Sequence, residues 1–312
     1  MTACSVGFAL ALSAALLAAA ESPVFRGDVT LVKVEAQVYD RSTRALIRNL
    51  QAADFQISDG GQPREIAYFA HDTGPLDLLL LLDVSGTMQE VLPNLAAQAR
   101  EALGHLGTKD RVAIMAFGKY HTLTQPFTGD FDAAAQGLRH IFDVQVGLDT
   151  DINQAVWGAA DYLRRSGGTA RRAVLVLTDN IQESRVPDSL VDEQLFAADA
   201  VLDGLLVRGH FPVPHLVHSG VLRFALKTGG EVIEGPQPGA RLGEMVERIK
   251  ARYSIYFRPA EAASGQERKI QVTLTPEARK RYPHAVVRAR KSYFPKPDSR
   301  TQPEVGKGQR VS

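Results

Sequence analysis

The sequence predicts an α/β protein: a doubly wound, mostly parallel sheet inserted into a small β-sandwich-like domain built from the two flanks. Three observations carry this. Leu78–Leu82 and Ala173–Leu177 are unbroken apolar runs, as expected of strands buried on both faces of a parallel sheet. Between residues 76 and 252 such runs alternate with stretches of helical period. On both flanks the apolar residues recur at every second position instead.

Taken in order, Val32, Val34, Ala36 and Val38 alternate with Lys33, Glu35 and Gln37, which predicts a half-buried strand. Phe55 and Ile57, then Ile66 and Tyr68, flank Asp59-Gly60-Gly61-Gln62-Pro63, a hairpin signal. After the leucine run, Leu92, Leu95, Ala99, Leu103 and Leu106 keep helical spacing. A strand Val112–Phe117, a polar stretch and a helix around Ala133–Ile141 follow. Ile152, Val156, Ala159 and Leu163 mark a further helix ahead of the strand 173–177. Helices near 189–203, 219–227 and 240–251 then alternate with short strands at Leu205–Val207 and Glu231–Ile233. Such a βα rhythm implies right-handed crossovers.

Beyond this unit Tyr253, Ile255 and Phe257 alternate, as do Ile270, Val272 and Leu274, and Val286-Val287 begin a last strand. Neither flank is large enough for a core of its own. Segments 28–72 and 253–294 are therefore expected to pack together as one split domain around the inserted unit, 76–252. The tail, 295–312, is rich in Pro, Lys, Gln and Gly and is expected to be disordered.

With 45% hydrophobic and 23% charged residues, the 312-residue chain has an ordinary globular composition. A net charge of +1 gives no electrostatic case for nucleic acid. Val6–Ala20 is apolar and ends in Ala18-Ala19-Ala20 before Glu21-Ser22-Pro23, so residues 1–20 read as a signal peptide. The expectation is export, to periplasm or beyond the cell, with no stable membrane span once the signal is cleaved. Cys4, the single cysteine, lies inside that segment. A mature chain without cysteine has no disulfide, no thiolate zinc site and no cysteine nucleophile.

The chemistry concentrates where the leucine run stops. Asp83-Val84-Ser85-Gly86-Thr87 supplies one carboxylate and two hydroxyls at i, i+2 and i+4. Ligands of open α/β sheets sit beyond the carboxyl ends of strands, and an all-oxygen cluster suits a hard cation such as Mg²⁺, or Mn²⁺ or Ca²⁺. Thr150, just before a helix, and Asp179, ending the strand 173–177, are placed for the same site. Helix capping by Ser85, Thr87 or Thr150 and a turn at Asp179 are the competing structural roles.

These residues resemble the von Willebrand factor A (VWA) family, whose Rossmann-like domain carries a metal-ion-dependent adhesion site with the pattern D-x-S-x-S, a distant Thr and a distant Asp. Thr87 stands where the pattern has Ser. The resemblance implies that Ser85, Thr87 and Thr150 touch the metal, that Asp83 and Asp179 act mainly through waters, and that one open position takes an Asp or Glu of a protein partner. It implies adhesion without turnover. The flanks, with Val38-Tyr39-Asp40-Arg41, Leu50–Phe55 and Arg252–Tyr256, are similar to an acidobacterial VWA-related family of exported proteins.

The strand-end Asp83 also resembles the nucleophile of haloacid-dehalogenase-type phosphatases. That family needs a second Asp where this chain has Ser85. A scaffold in which the metal only stabilises the fold is a third reading. His210, His215 and His218 read as solvated loop residues, Arg279–Arg281 with Arg288, Arg290 and Lys291 as the basic face of strands, and Trp157 as packing.

Overall fold

The computed structural model describes residues 31–71, 74–88, 92–147, 149–180, 184–207, 220–235, 238–260 and 266–295. The expected signal peptide, nearly all of the tail and the three clustered histidines lie outside these residues.

The elements in chain order begin with β1 (Val32–Asp40), β2 (Phe55–Asp59), β3 (Gln62–Arg64), β4 (Ile66–His71) and β5 (Leu76–Asp83). Next come α1 (Leu92–Leu103), β6 (Arg111–Phe117), β7 (His121–Thr128), α2 (Phe131–Gly137), α3 (Ile152–Arg165) and β8 (Arg171–Thr178). They continue with α4 (Asp188–Ala197), β9 (Ala200–Val207), α5 (Val221–Thr228), β10 (Val232–Gly235) and α6 (Pro238–Lys250). The chain closes with β11 (Tyr253–Phe257), β12 (Arg268–Leu274), α7 (Pro276–Arg281), β13 (Ala285–Ala289) and β14 (Ser292–Tyr293).

A six-stranded sheet in the order β10-β9-β8-β5-β6-β7 forms the α/β unit. Its strands are parallel except β7, which runs antiparallel at the edge. Alternate leucines of β5 feed two cores. Leu78, Leu80 and Leu82 pack with α1 and α6 residues such as Leu103 and Val246, whereas Leu79 and Leu81 pack with Val156, Leu195 and Phe224 of α3, α4 and α5. Burial on both faces is why the run has no polar alternation. From β5 the chain first goes to β6 on one side and later, through α3, to β8 on the other. The order reverses at β5, so its carboxyl end is the switch point where such sheets hold ligands.

Two four-stranded sheets flank this unit: β13-β1-β11-β4 and β14-β12-β2-β3. Each mixes strands from before and after the α/β unit. Their shared core includes Val34, Val38, Phe55, Ile57, Tyr253, Phe257 and Val272.

Several local expectations need correction. Strand β1 is buried on both faces, because Lys33, Glu35 and Gln37 point at the α/β unit: Lys33 pairs with Asp199 at 2.9 Å and Gln37 donates to the Arg248 carbonyl at 3.2 Å. The hairpin turn at Gly60-Gly61 joins β2 to β3, whereas β4 crosses to the other sheet and pairs with β11. The polar stretch after Phe117 is β7. Helix α4 stops at Ala197, since Asp199 adopts a left-handed φ of 50° and β9 begins at Ala200. Arg279–Arg281 belong to a helix, α7. Arg288 and Arg290 are not a solvated face: Arg288 meets Glu231 at 3.1 Å and Arg290 meets Asp199 at 3.0 Å. Trp157, expected as packing, is 38% exposed on α3.

Candidate metal centre

Asp83 ends β5 and its side chain is buried beyond solvent contact. Oδ1 accepts the Ser85 N–H at 2.9 Å and Oδ2 accepts the Thr178 hydroxyl at 2.6 Å. Burial pushes the Asp83 carboxyl up to about 6; hydrogen bonds from Thr178 and Ser85 oppose this, and the nearby Asp179 charge adds to it. Among the described residues no Lys, Arg or His forms an ion pair with Asp83.

The neighbouring groups are set by backbone. Ser85 is buried, and its carbonyl accepts the Met88 N–H at 3.0 Å, closing the short 3-10 turn Gly86–Met88. Thr87 lies in that turn, and its side chain is outside the described set. The cap of α3 is Asp151, whose carboxylate accepts the Gln154 N–H at 3.0 Å, so capping does not call on Thr150. The loop carrying Thr150 is fastened over the end of β6: the Asp151 N–H donates to the Gly118 carbonyl at 2.9 Å, and the Val84 N–H to that of Phe117 at 2.9 Å. Asp179 follows β8 directly, half-buried.

The structure thus brings Asp83 into contact with Ser85 and within electrostatic reach of Asp179, and lays the Thr150 loop against the adjoining strand end. Two residues escaped the sequence reading. Thr178 donates to Asp83 and accepts the Asn180 N–H at 3.0 Å, while Asn180 takes a left-handed φ of 61°. Gly118 has no room for a side chain, as a Cβ there would lie 2.6 Å from the Gly147 carbonyl oxygen and 3.1 Å from that of Asp149. A hydroxyl at the end of a buried strand was the available signal for Thr178.

Such a site offers few formal charges. Among the described residues no group of three or more His, Cys, Asp or Glu is poised to hold a metal, so any cation here depends on hydroxyl oxygens beside Asp83 and Asp179. The donor chemistry fits a hard divalent ion, because the hydroxyl and carboxylate oxygens here are hard donors and the buried Asp83 carboxyl, raised by burial and by the Asp179 charge, would be favoured in its ionised form by a nearby cation.

Residues 78–182 match a family model described as von Willebrand factor type A domain. This VWA match takes in Asp83, Ser85, Thr87, Thr150 and Asp179. Among solved structures, the chain is similar to an aerotolerance-related membrane protein of Bacteroides fragilis, at 17% identity and TM-score 0.46, covering 56% of this chain and 98% of that one. It is also similar to a von Willebrand factor type A protein of Catenulispora acidiphila, at 14% identity and TM-score 0.47, covering 73% and 71%. A third is proximal thread matrix protein 1 of the mussel byssus with a zinc-occupied MIDAS motif, at 11% identity and TM-score 0.47, covering 62% and 50%. None of these three exceeds 17% identity. No curated protein matches the chain. Among the described residues no helix is long and apolar enough to cross a membrane.

Proposed function

We propose that this is an exported protein-binding module that uses a divalent cation to capture a carboxylate of a protein partner. The observation that carries the reading is the pairing of a buried Asp83, tied to Ser85 and Thr178, with the charge of Asp179 at the switch point of the sheet. Ser85, Thr87 and Thr150 would supply hydroxyl oxygens, and Asp83 and Asp179 the balancing charge. Mg²⁺ is the first choice, with Mn²⁺ or Ca²⁺ as alternatives. When bound, the ion supplies a Lewis-acidic position for an Asp or Glu of the partner; the chain's own residues hold and orient it. Membership of the acidobacterial exported VWA-related family belongs to the same proposal and rests on the flank motifs Val38–Arg41, Leu50–Phe55 and Arg252–Tyr256.

A non-enzymatic role is part of the reading. A phosphatase nucleophile must reach phosphorus, whereas Asp83 is fully buried and both its oxygens are engaged by Ser85 and Thr178. The test is a Mg²⁺-dependent pull-down from envelope extracts with wild type and Asp83→Ala as baits, beside calorimetric titration with MgCl₂. Wild type is expected to bind Mg²⁺ and retain partners that EDTA releases, and the variant to lose both. Equal recovery by the two baits, or steady metal-dependent turnover of an aryl phosphate lost in Asp83→Asn, overturns it.

A further inference from the structure

Beside the metal centre stands a rigid tip that the site itself does not use. Gly118, Lys119 and Tyr120 join β6 to β7, directly after Phe117, which pairs with Asp83 in the sheet. The tip is sewn into the Thr150 loop by backbone. Tyr120 N–H donates to the Val146 carbonyl, Gly118 N–H to the Tyr120 carbonyl and Asp151 N–H to the Gly118 carbonyl, each at 2.9 Å. Lys119 packs so closely on Gly147 that a Cβ there would lie 2.8 Å from its own Cβ.

Held this way, the tip nonetheless exposes an aromatic ring: Tyr120 is 55% accessible. Lys119 Nζ lies 5.6 Å from the centre of that ring. Nearby, Arg185 and Asp149 pair at 3.9 Å, whereas Lys119 makes no ion pair with a carboxylate among the described residues. An exposed aromatic beside a cation with no carboxylate partner among the described residues, both carried on a backbone fastened to the Thr150 loop, is a contact whose main chain need not be ordered on binding. Its charge is complementary to an acidic segment.

We propose that Lys119 and Tyr120 form the specificity-determining rim of the partner surface. The rim selects a protein segment in which the carboxylate that meets the cation is accompanied by a second acidic residue and an apolar side chain. The second carboxylate sits against Lys119 and the apolar group on the Tyr120 ring. This rests on the metal reading above, and the test separates the two.

Random linear peptides displayed on phage are selected against immobilised full-length protein in MgCl₂ or EDTA, with wild type, Lys119→Glu, Tyr120→Ala and Asp83→Ala as baits. Wild type is expected to enrich Mg²⁺-dependent peptides carrying paired acidic residues next to an apolar one. Lys119→Glu should bind those peptides about tenfold more weakly and enrich basic residues at the second position. Its Mg²⁺ affinity without peptide should stay within about twofold of wild type, as a rim charge acts on the partner first. If Lys119→Glu and Tyr120→Ala enrich the same sequences with wild-type affinity, the rim assignment is wrong while the metal reading stands. If wild type enriches nothing that depends on Mg²⁺, the metal reading fails and the rim assignment falls with it.

Discussion

The Thr178 hydroxyl serves two neighbours at once, donating to Asp83 Oδ2 and accepting the Asn180 N–H. The bond to Asp83 is buried and that from Asn180 partly so, and neither Thr178 nor Asp83 is exposed to water. Thr178→Val keeps the shape and removes the donor, so the raised carboxyl of Asp83 loses one of the bonds that hold it ionised. The expected cost is about 1–3 kcal/mol of stability, read by urea denaturation, together with weaker Mg²⁺ binding by calorimetry. Unchanged stability would show that the bond contributes nothing net. At this scale the sequence was partly readable. It placed Asp83 and Asp179 at strand ends, where the structure has them. Thr178 was missed because a threonine inside a strand reads as an ordinary β residue until its partner across the sheet is known.

Elements were legible where their pattern was strong. The runs in β5 and β8 and the helical period of α3 announce themselves. Strand β7 does not, since His121-Thr122-Leu123-Thr124-Gln125-Pro126 has the polar, proline-bearing character of an edge strand. The end of α4 was hidden in Ala197-Ala198-Asp199-Ala200, which favours helix locally and is turned out of it by the left-handed Asp199. Gly118 belongs to this scale too, because its need arises only when Gly147 and Asp149 of the Thr150 loop close on the end of β6. Gly118→Ala is expected to push that loop away and weaken Mg²⁺ binding about tenfold or more, although residue 118 carries no ligand atom. Gly86→Ala, where a Cβ meets nothing within 4 Å, should leave affinity near wild type. Equal affinities for the two variants in calorimetric titration would remove any role for the close approach.

At the scale of the molecule, charged clusters join the α/β unit to the flanking sheets. Glu231, immediately before β10, is fully buried and receives Arg248 at 2.8 Å, Arg288 at 3.1 Å and Arg44. Arg44 holds a left-handed φ of 63°, a strain of about 1–3 kcal/mol for a residue of this kind, which the cluster fixes in place. Alongside, Gly229 lets the chain approach β13, where a Cβ would lie 2.4 Å from the Arg290 nitrogen. Burial disfavours the Glu231 carboxylate, but Arg248 and Arg288 outweigh it and hold the carboxyl below its ordinary value. Burial of Asp59 is likewise outweighed, chiefly by Arg268. Lowered carboxyl values mean stability that is present above the unfolded values, about 4.3 for Glu and about 3.9 for Asp, and lost as pH falls through the lower folded ones. Urea denaturation of wild type is therefore expected to show a drop in stability below about pH 4. Glu231→Gln should be about 3 kcal/mol less stable at neutral pH, with a shallower acid limb, because its arginines stay buried without their carboxylate. Parallel pH profiles for the two proteins would contradict this.

Interleaving also fixes an order of events during synthesis. Strand β1 lies in its sheet between β11 and β13, and β2 takes β12 as one neighbour beside its hairpin partner β3; β11, β12 and β13 all lie beyond residue 252. While the ribosome is still adding the middle of the chain, the first strands have emerged with most of their partners untranslated. The inserted unit has its own sheet and two cores, so it can close first and bring the distant ends of its host together. A nascent chain arrested shortly before Tyr253 would thus present a folded centre trailing unpaired, aggregation-prone edges.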